Sequence, residues 1–139
     1  AAPPEIAGVS VVDDSSNFAS SQAGLLTDGD TSNEWSSHYS ATPDTNPVDI
    51  QITLKNPAKV SEIDLQGTSE GGQVEVHASD ANGTILATNS FTAGNTTLKI
   101  DKPEEVNTIV IRITQLPQNL KRTETRDNYK ATMTEITLK

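Results

Sequence analysis

Asp49-Ile-Gln-Ile-Thr-Leu-Lys55 alternates polar and apolar residues without a break. Successive side chains of an extended chain point to opposite faces, so Ile50, Ile52 and Leu54 share one face and Gln51, Thr53 and Lys55 the other. Such a stretch is a strand with one side for a core and one for water, and Asn56-Pro57 ends it. The same period recurs outward from it. Ile6 to Val12, with Val9, Val11 and Val12, is a β-branched first strand. Val60 to Leu65 turns Ile63 and Leu65 inward before a turn over Gly67 to Gly72. Val74, Val76 and Ala78 alternate with Glu75, His77 and Ser79, which places His77 on the face opposite the aliphatic trio, as a surface or loop-supporting residue rather than a metal ligand. Asp80-Ala-Asn-Gly83 signals a hairpin into Ile85 to Phe91, Ala93-Gly-Asn95 marks the next turn, and Thr97 to Ile100 is short. Thr108 to Leu116 is apolar on both faces, as a central strand requires, and Thr132 to Leu138 closes the chain. About eight strands at short, regular spacing, with no amphipathic helix and no repeat, describe an all-β sandwich or barrel of antiparallel strands.

The composition fits that reading. The 139 residues suit one domain able to bury a core without staples. Apolar content of 33% and aromatic content of 4% make the core aliphatic. The chain has no cysteine, so disulfides, thiolate metal sites and a cysteine nucleophile are all excluded. No run has the apolar length of a membrane span. The net charge of -9 argues against nucleic acid or an anionic membrane as main partner. Its distribution is uneven: residues 1 to 54 hold eight acids and no lysine or arginine, and eight of ten basic residues lie at Lys99 or later.

Polar residues concentrate in Leu25-Leu-Thr-Asp-Gly-Asp-Thr-Ser-Asn-Glu-Trp35. Asp28 and Asp30 flank a glycine that allows a sharp turn, and Asn33 and Glu34 add oxygens before the sole tryptophan. Hard cations take about 6 to 8 oxygen ligands, and an acidic turn supplies several at once. An Asp-Gly pair is equally a common turn signal that needs no metal, and the spacing lacks the closing acid of an EF-hand.

The stretch Ala23 to Ser37, with its Asp28-Gly-Asp30 core and Trp35, resembles the signature of coagulation factor 5/8 type C domains, also called discoidin-like or galactose-binding-like. The resemblance implies a jelly-roll β-sandwich. It also implies a structural calcium held by the side chains of Asp28 and Glu135 and by backbone carbonyls near Leu25, Asp30 and Asn33; Asn33 stands where the family usually has threonine. Eukaryotic relatives usually carry a disulfide linking their termini, so a chain without cysteine points to a bacterial exported domain or a cytosolic one. A narrower likeness rests on the order of Gly8-Val-Ser-Val-Val-Asp13, the acidic turn, Gly71 to Ala78, Ile109 to Pro117 and Ala131 to Leu138. In that order they resemble the extracytoplasmic C-terminal domain of actinobacterial MviN-type (MurJ-like) lipid II flippases. This implies residues 1–5 as a linker from a membrane helix and residues 6–139 as a single discoidin-like domain.

Two loops could recognise a ligand. Trp35 to Asn46 is a polar loop in which His38 and Tyr39 could meet a sugar, whereas a lone tryptophan belongs more often to a core. Pro117 to Lys130 holds Lys121, Arg122, Arg126 and Tyr129, which could clamp a carboxylate or phosphate; a solvated loop is the alternative. No nucleophile elbow, phosphate loop or His-Glu-x-x-His is present, so no enzyme is expected. Asn82-Gly-Thr84 and Asn95-Thr-Thr97 have the form of glycosylation sequons, but in a bacterial chain they are better taken as turns. Two functions compete: a recognition domain of an envelope membrane protein that contacts cell-wall glycan or a protein partner, and a family-32-type carbohydrate-binding module from a secreted glycosidase.

Overall fold

The computed structural model describes residues 5–12, 24, 26, 35–36, 44–68, 70–78, 84–101, 103, 105–116 and 132–139. They form ten strands and no α-helix: β1 (Ile6–Val12), β2 (Trp35–Ser36), β3 (Asp44–Lys59), β4 (Glu62–Thr68), β5 (Gly71–Ala78), β6 (Ile85–Phe91), β7 (Gly94–Lys99), β8 (Glu105–Gln115), β9 (Thr132–Met133) and β10 (Glu135–Leu138). A five-stranded sheet runs β1-β3-β8-β5-β6, a three-stranded sheet β10-β4-β7, and β2 pairs with β9. Every pairing is antiparallel. The jelly-roll sandwich expected from the sequence is the fold.

The inward faces are those the alternation assigns. Ile50 and Ile52 of β3, Val74 and Val76 of β5, and Ile109, Ile111 and Ile113 of β8 are wholly buried, as are Ile63 and Leu65 of β4. With Leu98, Ile136 and Leu138 of the smaller sheet they join one cluster. Each fully buried aliphatic side chain contributes about 1.5–3 kcal/mol, which makes this cluster the main stabilising element. β8 lies at the centre of its sheet, and its outer residue Val110 is buried as well, as its two apolar faces predict. Trp35 is also in the core.

The structure corrects the sequence reading in several places. The strand around Ile52 does not stop at Asn56-Pro57 but spans 16 residues. Its pairing with β8 shifts register between Asp44 and Val48 and again between Thr53 and Ala58, and Pro47 and Pro57 fall inside these shifts. A proline has no N–H to give a ladder, and an irregularity is where a strand can hold one. Trp35 to Asn46 is not loop throughout, since Trp35–Ser36 and the start of β3 are strand. The closing segment divides at Thr134: Met133 pairs with Trp35, while Glu135 pairs with Gln66 of β4. His77 does point away from Val74 and Val76, yet it is only 6% exposed, with Nε2 2.9 Å from Glu75 Oε2. It is a buried polar residue on the outer face rather than a surface one.

Candidate functional site

Strand direction sorts the connections between two ends of the sandwich. Asp44 of β3 lies opposite Gln115 of β8, which lies opposite Gln73 of β5; Thr68 lies opposite Gly94. Those residues mark one end. The connections from β1 to β3, β4 to β5, β6 to β7 and β8 to β9 all attach there, and it is here called the loop end. At the opposite, terminal end, Lys55 N–H donates to Glu5 O at 3.0 Å and Ser61 N–H to Lys139 O at 2.7 Å. Both loops that the sequence singles out for binding therefore attach at one end.

Of the residues assigned to a metal, Leu25, Asp28, Asp30 and Asn33 lie outside the described residues, as do His38, Tyr39, Lys121, Arg122, Arg126 and Tyr129. Glu135 is described. It is half-buried, and its Oε2 is shut off from solvent. Leu26 and Trp35, which bracket the acidic turn, are wholly buried. Trp35 pairs with Met133, two residues before Glu135, while Glu135 itself pairs with Gln66 of β4. Among the described residues no group of three or more His, Asp or Glu side chains could hold a metal ion.

A second feature of the loop end comes from two short turns. Pairing of Gly71 with Phe91 brings the β4–β5 and β6–β7 connections together. Between them opens a recess of about 460 Å³ lined by Glu70, Gly71, Ser90, Phe91, Thr92 and Ala93, within the size range of small-molecule sites. The first turn is made by Gly71 and Gly72 at φ 101° and 74°, a left-handed backbone that favours glycine. The second is braced by threonines. Thr68 Oγ1 donates to Thr92 O at 2.6 Å and meets Thr96 Oγ1 at 2.9 Å, and Thr96 Oγ1 accepts from Thr92 N–H at 3.0 Å. Gln73 Nε2 donates to Ser90 Oγ at 2.7 Å, which uses an acceptor position of that hydroxyl and leaves its proton to give. The sequence reading passed over this recess. Its walls are twenty residues apart in the chain, and only the glycines at 71, 72 and 94 hinted at two turns.

Several charges among the described residues are tied up in structure. Arg112 holds Asp49 with two bonds, Nε to Oδ1 at 2.8 Å and Nη2 to Oδ2 at 3.1 Å, and this hydrogen bonding, against some burial, raises its pKa. Lys139 Nζ lies 2.9 Å from Glu62 Oε2 and 3.2 Å from Asp64 Oδ2, and its pKa is raised by those bonds. Burial pushes the Asp64 carboxyl up, but hydrogen bonds from Lys139 and Thr97 and the Lys139 charge outweigh it and hold the group below its ordinary value.

The sequence profile of the F5/8 type C domain matches residues 10–130. The chain belongs to the F5/8 type C family. Among solved structures, this F5/8 type C domain resembles chitosan-binding module 1 of a chitosanase/glucanase from Paenibacillus sp. IK-5, at 13% identity and TM-score 0.65, with 95% of this chain and 93% of that one covered. It also resembles the family 32 carbohydrate-binding module of C. perfringens NanJ, solved with galactose, at 18% identity and TM-score 0.66 over 94% and 91%. A pectin-binding module matches at 16% and 0.65 over 97% and 91%. At these identities the likeness is one of fold. No curated protein matches.

Proposed function

We propose that this F5/8 type C domain is an extracellular carbohydrate-binding module that holds a glycan at its loop end and performs no covalent chemistry. The observation that carries the reading is the recess beside Phe91, at the end where the connections bearing His38, Tyr39, Arg122 and Arg126 also attach. Modules of this fold are named for binding chitosan and pectin, and a family 32 module was solved with galactose, a range that supports a glycan as the ligand class. A bacterial origin and attachment to a secreted glycosidase complete the reading.

Calcium enters the proposal through Asp28 and Glu135, with carbonyls near Leu25, Asp30 and Asn33. Core burial of Leu26 and Trp35, with Glu135 two residues past the partner of Trp35, supports it. A bound cation would stiffen the turn and supply no reaction. The reading as an accessory domain of an MviN-type flippase, touching cell-wall glycan or an envelope protein, is supported only by the order of sequence segments.

Affinity electrophoresis through gels containing chitosan, pectin, galactan or solubilised peptidoglycan tests the function. Retardation in at least one gel is expected. Unretarded migration in all four, by protein whose circular dichroism shows it folded, overturns the proposal.

A further inference from the structure

We propose that the recess between the β4–β5 and β6–β7 turns is a subsite for one cationic amino-sugar unit, with the Glu70 carboxylate as partner of its ammonium group. The inference rests on the glycan-binding reading and adds the ligand's charge and the residue that selects it.

Glu70 is the one charged residue among the six that line the recess. It is exposed at the turn, and the described residues place no basic side chain beside it. Lys55, Lys59, Lys99 and Lys139 all belong to the terminal end, where Lys55 pairs with Glu5 and Lys139 with Glu62 and Asp64. Arg112 lies in the sheet, locked on Asp49. The four described lysines and the recess thus occupy opposite ends of the sandwich, while Lys121, Arg122, Arg126 and Lys130 belong to the β8–β9 connection, which attaches at the loop end and lies outside the described residues. The remaining walls suit a sugar ring. Gly71, Phe91, Thr92 and Ala93 give a mainly apolar surface for C–H groups, and Ser90 Oγ, already accepting from Gln73, can donate to a ring hydroxyl. A carboxylate at the rim of an apolar hollow discriminates by charge. It strengthens a hydrogen bond from an ammonium group, loses most of that gain when the nitrogen is acetylated, and repels a uronate.

The test is isothermal titration of the domain with three trisaccharides: of glucosamine, of N-acetylglucosamine and of galacturonate. It is run at about pH 5.5, where a free amine is charged. Wild-type protein is expected to prefer tri-glucosamine over its acetylated counterpart by about tenfold, the size of one charge-assisted hydrogen bond. Glu70→Gln, at an exposed turn, should erase that preference by weakening tri-glucosamine far more than the acetylated trimer, and Ser90→Ala should weaken both about equally. Equal affinity of wild-type protein for the two, a preference that survives Glu70→Gln, tighter binding of tri-galacturonate, or no binding of any trimer overturns the inference. If the gels still show retardation in one of those cases, glycan binding stands and only the amino-sugar subsite fails; if they do not, both readings fall.

Discussion

Replacing Gly67 by alanine probes how the loop end is held to the core. Gly67 sits in β4 at φ 76°, a left-handed conformation that costs a residue with a Cβ about 1–2 kcal/mol. A Cβ built there falls 2.7 Å from Thr134 Cγ2, 2.8 Å from Thr134 Oγ1 and 2.9 Å from Thr134 N. The threonine side chain could swing aside, but its backbone nitrogen cannot, because it donates to Gln66 O at 2.7 Å while Thr132 Oγ1 donates to Gly67 O at 3.0 Å. Forcing these strands apart adds roughly 1–3 kcal/mol of overpacking. The two costs together give about 3 kcal/mol, or a fall in Tm of roughly 10 °C for a domain of this size. Calorimetry measures the fall, and fluorescence reports its origin, because the sole tryptophan, Trp35, pairs with Met133 next to the clash. Gly94→Ala is the control: its φ is 89°, yet nothing lies within 4 Å of the added Cβ, so only the backbone cost of about 1–2 kcal/mol applies. If Gly67→Ala shifts Tm no more than Gly94→Ala, the contact with Thr134 carries no strain and the reasoning fails.

Other substitutions follow from the same geometry. The depressed pKa of Asp64 means that its contribution is present above the unfolded value of 3.8 and is lost as pH falls through the folded value. The urea midpoint should therefore drop more steeply below about pH 4 in wild type than in Asp64→Asn; parallel pH profiles would exclude this. Arg112→Leu strands Asp49 among partly buried groups and should cost about 1.5–3 kcal/mol in urea unfolding, much of it regained by adding Asp49→Asn. Trp35→Ala empties a fully buried site and should cost about 3–5 kcal/mol. For the metal proposal, excess calcium should raise Tm relative to chelator in wild type, and Glu135→Gln should abolish the difference; an unchanged difference counts against Glu135 as a ligand.

The sandwich could be read from Asp49 to Leu54, Val74 to Ala78 and Thr108 to Leu116, because one-sided burial imposes a strict period of two and the central strand relaxes it on both faces. The length of β3 could not, because Pro47 and Pro57 read as stops and only the partner strand's register shows that they occupy irregularities. Nor could the division at Thr134, since Met133 and Ile136 are both apolar and nothing local says that they serve different pairings. The burial of His77 was missed for the same reason, as its neighbours on the outer face come from β8 and β6. A candidate site is legible in sequence only where one segment carries its chemistry. The acidic turn is such a candidate and lies outside the described residues, whereas Glu70 and Ser90 become neighbours of one hollow only after Gly71 pairs with Phe91.

The hydrogen bonds of Glu5 and Lys139 make the order of the strands along the chain partly dispensable. Glu5 is anchored on Lys55 and Lys139 on Ser61, six residues apart across a single corner of β3 and β4. Six residues span at most about 20 Å, so a short polar linker can join the two ends without displacing a strand. New ends opened between Ala78 and Thr84, where β5 meets β6 at the same end of the sandwich, would give a circular permutant that keeps every connection of the loop end intact. If the proposed glycan binding at the loop end holds, such a permutant should bind as the parent does, because that site depends on which connections meet in space and not on where the chain is cut.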